Sequence, residues 1–436
     1  MAAETSGSER AYRLRIAFCC FLMMFANQGL TSSSFNVYQS YLVQIPDVGD
    51  VGGSLILTVR ALVSLIAMFF VGFYYRRISL RIGVFIATLF TAAAFIVYSL
   101  ADGLGAFCLG AVLAGIGYGF GGMVAATALI GNWFQGRIGA ASGIASMGTG
   151  VSSIVIPLSA GSLVFAFGLQ TAFAAEAVLA LAIGFVLIAA VRNSPAAAGF
   201  PEAAVSSQGQ PQSAKREQRV VRPPIDLPKP LFRLMLVAIF LLGATTLSSF
   251  GYFSVLISTS GHGLMAAALA TSVLGIVETC AKSAVGWIFD FLGVRRASLI
   301  FFGILVLGLL LCAVVGCGWQ SGVPVAMVVY GVGIALPTAG VSIWALAFST
   351  LRSQMATIRS FQIAYAFGGF AFNMLPGLVM QATGSYAPSY IVFAIFAAAA
   401  GLIILFVYGR FQSMARTRAE GGKAPQPQGI GADGIP

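Results

Sequence analysis

The chain is short of charge. Asp, Glu, Lys and Arg make up 8% of its 436 residues, whereas a soluble domain carries about 25%. A soluble surface cannot be built from so little, so a free-standing soluble protein is excluded. Histidine is scarcer still: His262 is the single one, and it falls in a short loop. No cluster has metal-ligand spacing and no nucleophile sits beside a base. Nothing therefore points to an enzyme, a metal site or a cofactor. The six cysteines (Cys19, Cys20, Cys108, Cys280, Cys312 and Cys317) fall in apolar stretches and read as small packing residues. Acids are outnumbered by bases, 13 against 24, for a net charge of +11. Such a balance often signals nucleic acid, but here one side of the chain has no bases at all.

What is present is hydrophobic. Apolar residues make up 58% of the chain, in runs of the roughly 20 residues needed to cross a bilayer. Twelve spans are expected, near 14–38, 54–75, 80–100, 105–131, 138–165, 171–191, 232–257, 265–289, 296–316, 323–350, 357–382 and 387–411. Alternate connections place Arg10, Arg13, Arg15, Arg76, Arg77, Arg81, Arg137, Arg295, Arg296, Arg352 and Arg359 on one side. The bases of the long middle loop and of the tail join them. The other side holds Asp47, Asp50, Asp102 and His262. By the positive-inside rule both termini are expected in the cytoplasm. The positive charge is thus a topology signal, with attraction to anionic lipid headgroups as a secondary effect. The first run is long and has no small-residue cleavage site, so an uncleaved first span is expected rather than a signal peptide.

The expected organisation is a six-helix bundle over 1–191, a polar linker over 192–230, a second six-helix bundle over 231–412 and a disordered cytoplasmic tail over 413–436. The halves repeat. Gly72 begins Gly-Phe-Tyr-Tyr-Arg-Arg-Ile-Ser-Leu-Arg, and 214 residues on Gly286 begins Gly-Trp-Ile-Phe-Asp-Phe-Leu-Gly-Val-Arg-Arg. Arg137 and Arg359, Pro157 and Pro376, and Gly168 and Gly384 recur at offsets of 216 to 222. A near-constant offset predicts duplicated bundles related by an axis along the membrane normal.

The stretch from Gly286 through Asp290 and Gly293 to Arg295 and Arg296 resembles the cytoplasmic loop signature of the major facilitator superfamily. The first-half copy departs from it, with Arg76 in place of the acid and Ser79 in place of the second glycine. Three features are similar to the monocarboxylate transporter and oxalate/formate antiporter branches. They are Glu278-x-x-x-Lys282-x-x-x-Gly286-x-x-x-Asp290 in span 8, the segment Trp133-Phe134-Gln-Gly-Arg137-Ile-Gly139-Ala-Ala-Ser-Gly143-Ile144 leading into span 5, and Gly29 with Ser33-Ser34-Phe35-x-Val37-Tyr38 in span 1. Gln28-Gly29 replaces the acid-Gly pair of the animal carriers. Phe367 stands where the oxalate carrier has a second lysine, so a dianion clamp from spans 8 and 11 is not expected. The resemblance implies an all-α membrane protein of the major facilitator fold, with twelve transmembrane helices in two pseudo-symmetric bundles.

Arg60 and Lys282 are the two bases inside spans, where charge is costly and usually marks a substrate or ion path. Glu278 and Lys282 are four apart and share a helix face about 6 Å apart along the axis. As a pair they can stay charged; a substrate carboxylate would compete for Lys282 and release Glu278 to take a proton. The alternative is a purely structural pair. Arg60 lies about 18 Å from the end of span 2. It is either a second anion contact, or a side chain that snorkels or bonds carbonyls of a neighbouring helix. Asn27, Gln28, Tyr118, Tyr365 and Asn373 are mid-span polar groups that could bind substrate or another helix. Glu176 reads as an interfacial residue or a partner for Arg60 rather than a proton carrier. Asp290 with Arg137, Arg295, Arg296, Arg76 and Arg77 is expected to form a cytoplasmic latch, or else Asp290 merely balances Arg295 and Arg296. The glycines of span 4, from Gly115 to Gly122, mean close packing rather than a phosphate cradle.

The expectation is a transporter in the plasma or inner membrane, working as a monomer by alternating access. It would carry a small organic anion, first of all a monocarboxylate in symport with protons, and no cofactor or nucleic acid. Proton-independent antiport of carboxylates is the alternative, and a non-transporting sensor on the same scaffold a distant one.

Overall fold

The computed structural model describes residues 2–134, 138–195, 226–350 and 353–421. Within them, twelve helices are long and apolar enough to cross a membrane. They are Ala11–Leu42, Gly49–Arg77, Leu80–Ser99, Leu104–Trp133, Gly143–Phe167, Leu169–Ala190, Lys229–Gly251, Leu264–Lys282, Ala284–Gly316, Gln320–Ala347, Ala356–Thr383 and Ala387–Met414, here spans 1 to 12. Large side chains such as Phe69, Phe70, Phe165, Phe185 and Leu402 stay exposed. On a soluble protein so many would be a liability; on a bundle in hydrocarbon they are the lipid-facing surface. Most of the linker, Arg137 and the last fifteen residues lie outside the described residues. The last helix runs on to Gly421, past the expected boundary at 412.

Each half packs on itself: span 3 on spans 4 and 6, span 2 on span 4, span 8 on span 10, span 7 on spans 11 and 12. The halves meet through span 5 on span 8, span 2 on span 11 and span 1 on span 7. This is a two-fold pattern. Exchanging the halves turns the first pair into the second and leaves the third unchanged. The offset found in the sequence reappears at the interface, because Ser40 of span 1 donates to Ser254, 214 residues on. Gly29 and Gly243, also 214 apart, do matching jobs. A Cβ on Gly29 would strike Ser152 of span 5, and one on Gly243 would strike the Tyr365 carbonyl of span 11.

Several spans are broken where the halves meet. Span 1 is a π-helix over Phe25–Ser34, span 7 continues past a break at Tyr252 into the helix Phe253–Thr259, and span 11 breaks between Phe372 and Leu375. The loop expected between spans 8 and 9 is absent. Helix runs from Leu264 to Gly316 with one non-helical residue, Gly293, at φ 77°, so span 8 continues past Lys282 and gives way to span 9 at Gly293. A left-handed residue turns the chain in one step, and glycine takes that conformation without a Cβ penalty.

Candidate functional site

Span 8 carries the ion pair. The Lys282 Nζ lies 2.7 Å from Glu278 Oε1, with the side chains 27% and 10% exposed. Glu278 Oε2 has no hydrogen-bond partner. Helical periodicity fixes where the pair faces. Gly275 lies against the Ser153 carbonyl and Gly150 against Thr279, so the face of span 8 bearing 275 and 279 is turned to span 5. Lys282 is seven residues from Gly275, which returns it to the same face at 3.6 residues per turn. It stands one turn nearer the basic loops than the last tight contact. Glu278 lies within electrostatic range of Tyr330 and Tyr365. Tyr118 from the first half is within range of Tyr365 and of Arg60. Glu278, Tyr365, Tyr118 and Arg60 thus lie successively within electrostatic range of one another, with Lys282 in direct contact with Glu278.

The other sequence candidates fall in two groups. Arg60 donates to the Thr31 carbonyl and stands 3.5 Å from Ser32 Oγ. The π-helical stretch of span 1 supplies this site, because its altered register frees carbonyls from the i−4 ladder. Glu176 is not its partner; that carboxylate is 4% exposed and accepts from Tyr38 instead. Asn27 is buried with both ends of its amide engaged. Nδ2 donates to Thr88 Oγ1 at 3.1 Å, and Oδ1 accepts from Thr91 at 2.8 Å. It ties span 1 to span 3. Gln28 packs on Gly122 of span 4. Tyr365 shares a hydrogen bond of 2.8 Å with Thr246 of span 7, and Asn373 is buried at the break in span 11. The glycines of span 4 do pack closely: a Cβ on Gly115 would come within 2.8 Å of the Arg60 carbonyl.

The residues expected to latch the basic side are not joined to one another among the described residues. Asp290, Arg295, Arg296, Arg76 and Arg77 are exposed. Arg76 turns back on the Gly72 carbonyl, and Arg77 lies over Phe73. Arg137, the expected partner of Asp290, is outside the described residues. Gly143 of span 5 and Gly286, one turn past Lys282, have open space around them, unlike Gly150 and Gly275.

The bundles are instead fastened at the opposite face, by residues that sequence reasoning passed over. Asn36 donates to the Phe250 carbonyl at 2.7 Å and accepts from the Ser254 N–H at 3.2 Å. Ser40 donates to Ser254 at 2.8 Å. Gln39 donates to the Tyr252 hydroxyl at 3.3 Å, and that hydroxyl donates to Ser54. Tyr386 donates to Asp50. Singly these polar residues look like ordinary helix glue. The signal that could have found them is the repeat, since 36 and 250, like 40 and 254, are equivalent positions. Among the described residues, these side-chain hydrogen bonds between the bundles all lie on the face of the acidic loops.

Comparisons with known proteins agree with this architecture. A family model described as Major Facilitator Superfamily matches residues 16–372. Among curated proteins there is no significant sequence match. A point variant of the nucleoside transporter NupG superposes with a TM-score of 0.70 at 13% identity, over 91% of this chain and 99% of its own. A bacterial homolog of the human lysosomal transporter Spinster, inward-facing and unoccupied, gives 0.65 at 14% identity, over 95% and 99%. Its occupied form gives 0.58 at 14%, over 96% and 99%.

Proposed function

The chain belongs to the major facilitator superfamily, and from that premise we propose that it is a proton-coupled transporter of a small organic anion, a monocarboxylate first of all. The observation that carries this is the Lys282–Glu278 pair, set on the face of span 8 that looks across to the other bundle. A lone charge at mid-membrane depth is expensive, whereas a pair that can change partners is useful. A substrate carboxylate entering between the bundles replaces Glu278 on the ammonium. Glu278, already lacking a partner for Oε2, is then a buried carboxylate without a cation, and binding a proton becomes favourable. Anion and proton load together, and rocking of the bundles exposes both to the other side. Tyr118 and Tyr365 border the same path and supply hydroxyl groups for the rest of the substrate. The basic loops mark the cytoplasmic side, of a plasma or inner membrane. Proton-independent exchange of carboxylates uses the same cation but leaves Glu278 idle.

The test is uptake of labelled small carboxylates into proteoliposomes, with and without an imposed pH gradient, and with nucleosides and sugars in the panel. Proton coupling predicts stimulation by acid outside that Glu278→Gln abolishes. Lys282→Ala is expected to abolish carboxylate uptake. Saturable uptake of nucleosides with carboxylates ignored overturns the substrate class.

A further inference from the structure

Glu176, in span 6, is a carboxyl group that the proposed transport site does not use. It is buried near the face where the bundles are fastened. Its Oε1 accepts a hydrogen bond of 2.8 Å from the Tyr38 hydroxyl, and its Oε2 has no partner. The nearby Ser34 hydroxyl is turned to the Leu30 carbonyl. Around it the Phe173 ring lies 4.3 Å from that of Tyr38 and 5.3 Å from that of Tyr98.

The titratable groups that face it carry no positive charge. Span 1 presents Tyr38, with Tyr41 beside it; span 3 presents Tyr98; span 5 has no titratable side chain over Ile138–Phe167. Arg81 of span 3 is at the far end, held on the Ile188 carbonyl at 2.6 Å. Arg13 and Arg15 of span 1 are also at the basic end. Arg60 is on Thr31 and within range of Tyr98. No Lys or Arg among the described residues acts on Glu176. A carboxylate buried without a cation is far costlier than the neutral acid, and the closed arrangement offers Glu176 only the Tyr38 hydroxyl.

Tyr38 makes this matter for gating. It sits on the helical segment Phe35–Leu42, whose Asn36, Gln39 and Ser40 bond span 7. At 100° per residue these three share an arc of about 100°, and Tyr38 points roughly the opposite way. One short segment therefore braces the seam on one side and Glu176 on the other. Water reaches the carboxyl only if that segment moves, and moving it pulls on the seam.

We propose that Glu176 is a proton-binding site that senses the aqueous phase on the acidic-loop face and sets the seam: protonated, it lets the bundles close there, and ionised, it favours their opening. The site is independent of the Lys282 reading and lies wholly in the other bundle. Closing takes up one proton, so the closed-to-open ratio rises by up to about tenfold per pH unit of acidification.

The experiment uses spin-label distances across that face in lipid nanodiscs at graded pH. One label goes on Cys317, which is naturally exposed, and one on Asp102→Cys, with Cys108 and Cys280 replaced by serine. The parent is expected to move from short to long distances as pH rises. Glu176→Gln, a neutral mimic, is expected to stay short throughout, while Asp47→Asn, at an exposed acid of the same face, keeps the parent's titration. Should glutamine at 176 prevent folding, Tyr38→Phe serves: loss of the brace moves the transition to lower pH. A Glu176→Gln profile that titrates like the parent, or a Tyr38→Phe profile that superposes on it, overturns the proposal.

Discussion

Loss of one hydroxyl, at Tyr386, is expected to open the seam measurably. Tyr386 is 1% exposed and its hydroxyl donates to the Asp50 carboxylate in the first turn of span 2. Its ring packs on Tyr252 at a centroid distance of 5.7 Å, so phenylalanine keeps the shape and removes only the donor. A hydrogen bond to a charged group is worth about 1.5–3 kcal/mol. Asp50 is only half-buried and keeps the favourable field of its helix N-terminus in either state, so the lower end applies. About 1.5 kcal/mol is roughly a tenfold shift of the closed-to-open ratio. The spin-label pair across this face reads that ratio directly. Tyr408→Phe is the control. Its hydroxyl accepts only from Gln412 at the basic end of the same span, at 2.9 Å, and it should leave the ratio unchanged. If Tyr386→Phe matches the parent, the Tyr386–Asp50 hydrogen bond does not hold the closed state, and the seam must rest on the bonds from Asn36, Gln39, Ser40 and Tyr252 and on packing.

Three further outcomes are expected. Gly275→Ala puts a Cβ 2.2 Å from the Ser153 carbonyl; overpacking of this kind costs about 1–3 kcal/mol and should slow transport, whereas Gly286→Ala meets open space and should not, as initial uptake rates would reveal. A double-mutant cycle with Glu278→Gln and Lys282→Met, read by thermal unfolding, should be non-additive by about 1–2 kcal/mol, discounted for the partial exposure of Lys282; additive losses would show that the two charges do not act as a pair. Before span 7, hydrogen bonds from the Ser353 hydroxyl and the Thr350 N–H hold the Asp226 carboxyl below the usual carboxylate range. This tie is therefore fully present above that range and lost as pH falls through the lowered value, so Asp226→Asn should speed amide exchange at Thr350 at neutral pH and remove its acid sensitivity.

Spans and orientation signals are legible in the sequence because hydrophobic length and the placement of bases are local properties. So is the duplication, through motifs such as those at Gly72 and Gly286. The breaks are not. A single glycine, Gly293, turns spans 8 and 9 where a loop is expected, and nothing in Phe-Ala-Asn-Gln-Gly-Leu-Thr-Ser-Ser-Ser announces a π-helix. That stretch is shaped from outside, by Ser152 against Gly29 and by Arg60 on the Thr31 carbonyl. Asn27 shows the same limit from the other direction. Its polarity and depth mark it, but only the fold reveals that Thr88 and Thr91 occupy both ends of its amide. Glu176 and Arg60 invite pairing in the sequence because both look stranded. In the folded chain each has found a different neighbour, one a phenol and one a carbonyl.

That difference bears on which intramembrane cation can serve a substrate. Span 8 repeats span 2, and the offset of 214 places Lys282 opposite Met68 and Arg60 opposite Leu274. The two cations are thus eight residues apart in register, about 12 Å in depth, and do not form a symmetric pair. Arg60 is held by a backbone carbonyl, which can be neither neutralised by a proton nor moved without disturbing span 1. Lys282 is held by a carboxylate four residues away, which protonation neutralises. If an arriving anion displaces the partner of Arg60, an unpaired carbonyl is left behind in the protein interior. If it displaces the partner of Lys282, the group left behind can bind a proton from the path the anion used. Under the proposed function, only at Lys282 would anion binding become cheaper with a proton present, and this reciprocity is what coupling between the two requires.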